Sequence, residues 1–173
     1  PPRSTLFPYT TLFRSEMTVK LSSFIRSTLS KNDNQFVKLC DEIKNLELYL
    51  EIEKIRFEDK FNYIKNLSEN CCNVMIPNML IQPLIENAIK HGVYESLEPV
   101  TISLTAGFVK EYLKIEIKNS FDIDAVPQKG EGIGLKNVSD RLKLIYKQDN
   151  LIQISKDSKE FTVTIYIPEE LKK

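Results

Sequence analysis

The sequence predicts an α+β fold in which helices lie on one face of a mixed, mostly antiparallel sheet, preceded by a helical segment. Three observations carry this. Two stretches, "VTISLTA" and "LKIEIKN", alternate apolar and polar residues as half-exposed strands do, and "EFTVTIYI" repeats the alternation near the end of the chain. Between and before them, apolar residues recur at three- and four-residue steps, the spacing of one helix face. The 173 residues, 42% of them hydrophobic, suffice to bury one core of that class.

Taken in order, the first helix begins near Lys20, with Leu21, Phe24, Ile25 and Leu29 on one face until "SKNDNQ" breaks the pattern. In the second, Phe36, Leu39, Ile43, Leu46 and Leu50 form an amphipathic stripe or short coiled-coil seam, which Glu53 interrupts before Phe57. Such a stripe needs a partner, either the chain's own globular domain or a second copy of the chain. "FNYIKNL" then reads as an imperfect strand. Pro77 fits the first turn of the next helix, where its missing N–H would be unpaired anyway. That helix, "PNMLIQPLIENAIKHG", is expected to stop at Gly92 and to be bent or loosened by the interior Pro83. After the strands at 100–106 and 113–119, "KGEGIGLKNVSDRLKLIY" passes from a glycine-rich loop into a helix with Leu135, Val138, Leu142 and Ile145 on one stripe. The strands "LIQIS" and "EFTVTIYI" close the pattern, and no internal repeat or low-complexity segment interrupts it.

Charge and composition exclude several classes. Twenty-four basic and 24 acidic residues cancel, so no global field draws the chain to nucleic acid or an anionic membrane, and specific sites must carry its function. No run approaches the roughly 20 apolar residues of a membrane span, and the first residues lack a signal peptide's pattern. Cys40, Cys71 and Cys72 have neither disulfide-framework nor zinc spacing and are expected to be reduced, structural thiols of a cytosolic protein.

Two motifs suit phosphate chemistry. In "ENAIKHG", Glu86 and Lys90, and likewise Asn87 and His91, are one helical turn apart, while Leu80, Leu84, Ala88 and Ile89 supply the apolar face. A carboxylate, an amide oxygen, an ammonium and an imidazole grouped this way offer oxygen ligands to magnesium and donors to phosphate. The same residues also fit an ordinary exposed helix face with a Glu–Lys pair. His91, the single histidine, fits a phosphoacceptor, a general base or a helix C-terminal cap. In "GEGIGL", Gly130, Gly132 and Gly134 directly precede a helix, so backbone N–H groups and the helix dipole can surround phosphate oxygens; a flexible loop is the other reading. The motif is neither a Walker loop, lacking the Lys-Ser/Thr ending, nor a dinucleotide fingerprint.

Together, "LIQPLIENAIKHG", two strands, "NSFD" and "GEGIGLKNVSDRLKLIY" resemble the N-box, the first glycine-box position and the second glycine box of the GHKL ATPases, in the version found in LytS-type sensor histidine kinases. "LSSFIRSTLSKNDNQFVKLCDEIKNLELYLEIEKIRFEDKF" resembles the segment of those kinases that follows the phosphoacceptor box, so the likeness covers about residues 18 to 168. The resemblance implies a Bergerat-type α/β sandwich at 61–173 that binds ATP and Mg2+, behind a helical dimerisation and linker segment at 16–60. It implies a homodimer that passes the γ-phosphoryl to a histidine and then to a response regulator, in a cytoplasmic portion of a membrane-anchored bacterial protein, with no nucleic acid partner and no direct membrane contact. Asn87 would ligate the metal, and Glu86 would be a polarising or basic group beside the transferred phosphoryl. Lys90 and His91 would contact phosphate or shape the pocket, and Gly130, Gly132 and Gly134 would form a phosphate-facing lid, with Leu135 and Asn137 on the helix behind.

Two departures from the family pattern stand out. Asn119 occupies the place of the adenine-reading aspartate, with Asp122 as a second candidate, and no proline-histidine-phenylalanine acceptor box precedes Lys20. A GHKL-type serine kinase and a non-catalytic interaction module with a degenerate nucleotide site are the alternative readings. Finally, "TLFPYTTLFRS", residues 5–15, resembles a translated sequencing adapter, so residues 1–15 are expected to be non-native and without stable structure, and the missing acceptor histidine to reflect a gene fragment cut near Glu16.

Overall fold

The computed structural model describes residues 17–23, 25–26, 35–94, 96, 98–120, 133–157 and 159–169. The segment expected to be non-native lies outside the described residues, as do Phe24, Leu29, Asp122, Gly130 and Gly132. Each alternating stretch forms the strand its pattern predicts. In chain order the strands are β1 (Phe36–Lys38), β2 (Phe61–Leu67), β3 (Met75–Pro77), β4 (Val100–Val109), β5 (Tyr112–Ser120), β6 (Ile152–Lys156) and β7 (Glu160–Pro168). The helices are α1 (Leu39–Phe57), α2 (Gln82–Ala88), continued by a π-helical turn at Ile89–Val93, and α3 (Ile133–Tyr146). Residues 17–23 are helical as well.

Five strands make one sheet in the order β2-β4-β5-β7-β6, with β2 parallel to β4 and every other pair antiparallel. A parallel neighbour needs a long crossover, and the chain between β2 and β4 carries α2 in that role. In register, Asn119 of β5 stands opposite Ile102 of β4 and Phe161 of β7. Alternate residues of the central strands, such as Ile102, Leu104, Ile115, Ile117 and Ile165, are buried in one core with Leu84, Ile85, Val138 and Leu142 of the helices. A buried Leu or Ile contributes about 1.5–3 kcal/mol over an exposed one, so this layer dominates the fold's stability.

The partner of the second helix's stripe is the chain's own domain. Leu39, Ile43, Leu46 and Leu50 are buried in the same core as the sheet. Phe36, counted in that stripe from spacing alone, instead belongs to β1, which pairs antiparallel with β3 in a separate two-stranded sheet. Pro77 ends β3 rather than opening a helix. Pro83 takes the helix-opening position in α2, where its missing N–H leaves no bond unmade, so neither bend nor loosening follows. Gly92 does not end that helix: it lies within the π turn, whose Tyr94 amide donates to the Ile89 carbonyl at 3.1 Å.

The cysteines also depart from expectation. Cys40 and Cys72 form a disulfide with Cα atoms 4.7 Å apart, and Cys71 is a free, buried thiol. The physical reason is non-local. Beyond the β1–β3 pairing, the Leu39 amide donates to the Val74 carbonyl at 2.9 Å and the Cys40 amide to the Cys72 carbonyl at 3.2 Å, which zips the start of α1 onto the loop before β3. Spacing along the chain does not carry that proximity.

Candidate functional site

The site is built around α2. Leu80, Leu84, Ala88 and Ile89, the predicted apolar face, are all buried, joined by Ile85. Their burial turns Glu86 and Lys90 to solvent and leaves Asn87 and His91 half-buried at the rim. Glu86 Oε1 accepts a hydrogen bond from Gln82 Nε2 at 2.8 Å, one turn toward the N-terminus. The π turn then changes the helical phase, so Lys90 and His91 do not repeat the α-helical placement that simple i, i+4 spacing assumes. Such turns are frequent at functional sites.

The far end of this helix meets the end of β5. A Cβ on Gly92 would stand 3.1 Å from Asn119 Nδ2, 3.2 Å from Val100 Cγ1 and 3.4 Å from the Ser120 carbonyl oxygen. Asn119 is 3% exposed, and its Nδ2 donates to the Ser120 carbonyl at 3.2 Å. A neutral amide tolerates this depth without the desolvation penalty that a carboxylate would meet, a physical reason for asparagine there. The helix bearing Asn87 and the strand end bearing Asn119 thus approach each other at a glycine, although Gly92 and Asn119 are 27 positions apart.

The third part is the start of α3, which packs beside α2. Gly134 is exposed, and a Cβ there would meet nothing within 4 Å. Leu135 is half-buried and Asn137 exposed. Packing of the described residues therefore makes no demand for glycine at position 134. Asp122, Gly130 and Gly132, the remaining predicted residues, lie outside the described residues.

Sequence reading missed the contribution of α1, whose last turns flank the π turn. Arg56 donates to the Tyr94 hydroxyl, and its guanidinium carbon lies 5.0 Å from the Tyr94 ring centroid and 5.2 Å from that of Phe57. Phe57 and Tyr94 themselves meet edge to face at 4.7 Å. Tyr49 is held above its ordinary pKa first by burial and then by the nearby carboxylates of Glu53 and Glu86, which places α1 within electrostatic reach of the predicted catalytic carboxylate. Glu53 itself is buried, with Oε2 lacking a hydrogen-bond partner. The signal was present as the polar interruption of an apolar stripe.

Among the described residues, no three His, Cys, Asp or Glu side chains gather as a metal cage. The donor set instead fits a hard cation held by one or two protein oxygens and the phosphates it accompanies, the usual mode of magnesium. The Asn87 amide at the rim is such a donor.

The fold defines a class. It is similar to the histidine kinase AdeS of Acinetobacter baumannii, with a TM-score of 0.57 at 18% identity over 98% of this chain and 86% of that one. It is also similar to the histidine kinase ThkA, solved in complex with the response regulator protein TrrA, with a TM-score of 0.51 at 16% identity over 99% of this chain and 54% of that one. The fold is that of a histidine kinase catalytic domain, the Bergerat-type sandwich. Within that class, a family model described as "Histidine kinase" matches residues 12–61. The Sensor histidine kinase BtsS of Escherichia coli is 29% identical over 89% of this chain, and the Sensor protein LytS of Staphylococcus haemolyticus 29% identical over 88%. The chain is thus similar in sequence to these sensor kinases along most of its own length, and it spans 28% of the length of each of the two.

Proposed function

We propose that the chain is the ATP-binding catalytic part of a two-component sensor histidine kinase, whose γ-phosphoryl passes to a histidine and then to a response-regulator aspartate. The observation that carries this reading is the contact of Gly92 with Asn119, which joins the two predicted nucleotide motifs within a kinase catalytic fold. Asn87 would hold Mg2+ through its amide oxygen, and Glu86 would orient or accept a proton beside the transferred group. Lys90 and His91 would face phosphate, and Asn119 or Asp122 the adenine amino group. Gly130, Gly132 and Gly134, with Leu135 and Asn137, would close over the phosphates. Magnesium, when bound, neutralises phosphate charge; the chain's own residues position and exclude water, since phosphoryl transfer leaves the protein little covalent work.

His91 belongs to the nucleotide helix, so this chain by itself binds ATP without phosphorylating itself. In the proposed division, residues 16–60 form the linker and, through the helical residues ahead of α1, the dimerisation segment of a homodimer, and residues 61–173 carry the nucleotide-binding unit. The whole protein is anchored in a bacterial membrane with this portion on the cytoplasmic side. No helix among the described residues is long and apolar enough to cross a membrane. The solved complex of ThkA with TrrA supports a response regulator as the partner.

Calorimetry with Mg-ATP tests the reading. The parent chain should bind, and Asn87→Ala should weaken binding by about tenfold or more, the equivalent of losing one good ligand. Tight binding that ignores the substitution would sink it. Asn119 favours one second reading, a non-catalytic module, which ATP binding without phosphotransfer to a supplied acceptor-histidine fragment would support.

A further inference from the structure

Glu42 of α1 is a buried acid, 4% exposed, in a helix whose other inward residues are mostly apolar. Its Oε1 accepts from the Ile81 amide at 2.5 Å, and the amides of Leu80 and Gln82 also face the carboxylate. These are the amides at the N-terminus of α2. That helix has no cap of its own: the Ile81 side chain cannot supply one, no acidic residue stands in its first turn, and Pro83 has no N–H. Glu42 supplies from another helix the acceptor that this N-terminus lacks.

The same point reaches a third helix. Arg141 of α3 donates from Nη1 to the Asn78 carbonyl at 2.5 Å, just before α2, and its charge acts on Glu42. Glu42 Oε2 is buried and makes no hydrogen bond. An unpaired buried oxygen costs stability, so packing alone gives no reason to keep an acid here. Its position gives one, since the segment 78–82 is where α1, the helix bearing Asn87 and the helix bearing Gly134 and Asn137 come together.

We propose that Glu42 is a positioning residue of the nucleotide site, fixing the start of α2 against α1 and, through the segment held by Arg141, against α3. The relative placement of Asn87 and of the start of α3 is thereby set from the helix that leads into the domain. The inference rests on the nucleotide-binding reading above.

The test combines amide hydrogen exchange with Mg-ATP calorimetry on the full chain. Glu42→Ala should speed exchange at 78–88 by about tenfold and weaken Mg-ATP binding by a similar factor, the scale of a lost helix cap. Exchange in β5 and β7 should stay as in the parent. Glu42→Gln, whose amide oxygen can still accept from Ile81, should restore both, which a demand for charge would not predict. Parent-like exchange at 78–88 in Glu42→Ala, or parent-like Mg-ATP affinity despite faster exchange, overturns the role given to Glu42. A parent chain that does not bind Mg-ATP overturns the nucleotide reading itself and this inference with it. Should Glu42→Ala lose protection across the sheet as well, Arg141→Met decides: faster exchange at 78–82 with weaker binding supports the hub, and unchanged binding overturns it.

Discussion

At the residue scale, Gly92 shows how one missing methyl group joins two motifs. Its nearest neighbours leave 3.1–3.4 Å for a Cβ, tighter than ordinary contact, and two of them belong to β5. Alanine would gain about 1 kcal/mol from helix propensity, while overpacking a filled site costs about 1–3 kcal/mol. We expect Gly92→Ala to lower the free energy of unfolding by about 1 kcal/mol in urea denaturation; an increase would show that Asn119 and Val100 yield freely. The sequence showed this glycine but suggested a different use for it, a helix stop. Its role depends on what stands 27 positions away, which local pattern does not reveal.

At the element scale, α1 has an inner and an outer commitment. Its apolar stripe is spent in the domain core, so it leaves no seam free for a second copy. The helical residues ahead of it differ: Leu21 is 43% and Ile25 47% exposed, and Lys20 reaches Glu51 of α1 in an ion pair of 2.8 Å. A surface pair of this kind contributes at most about 1 kcal/mol, too little to hold the segment alone. The proposed homodimer should therefore depend on these exposed leucine and isoleucine side chains. Light scattering should show a concentration-dependent dimer that Leu21→Glu with Ile25→Glu reduces to monomer; a monomer at every concentration of the parent would count against the dimer. The amphipathic period of both helices was legible, but which stripe meets the domain and which meets solvent was not, because period carries no information on the partner.

At the scale of the whole molecule, Glu42 should shape the dependence of stability on pH. Burial, opposed by backbone amides and Arg141, pushes its carboxyl up to about 7 from 4.5. Between those values the folded chain holds a proton that the unfolded chain has released, so unfolding free energy falls as pH rises. The contribution is complete below about 4.5 and lost above 7, a total of about 3 kcal/mol. Glu116 acts in the opposite sense. Lys114 and then Lys118 hold its carboxylate below the usual range, a stabilisation lost only as pH falls below that range. Chemical denaturation from pH 5 to 8 should thus show declining stability in the parent chain and little change in Glu42→Gln; a flat parent profile would contradict the burial argument.

The sequence by itself determined the α+β class, the order along the chain of the strands β2 and β4 to β7, and the inward residues of β4, β5 and β7. Period two and period 3.6 report which side chains must leave water, and that is a local property. It also showed Glu86, Asn87 and the glycine motif as candidate site residues, since their types and spacing suit phosphate chemistry wherever they lie. Only the tertiary structure decided that Pro77 closes a strand, that Pro83 opens a helix, that Cys40 meets Cys72, and that Glu42 caps a helix 39 residues downstream. Each of these depends on a partner distant in sequence. A buried acid or a lone proline can be seen in the chain, but the group that satisfies it is fixed only when the elements pack.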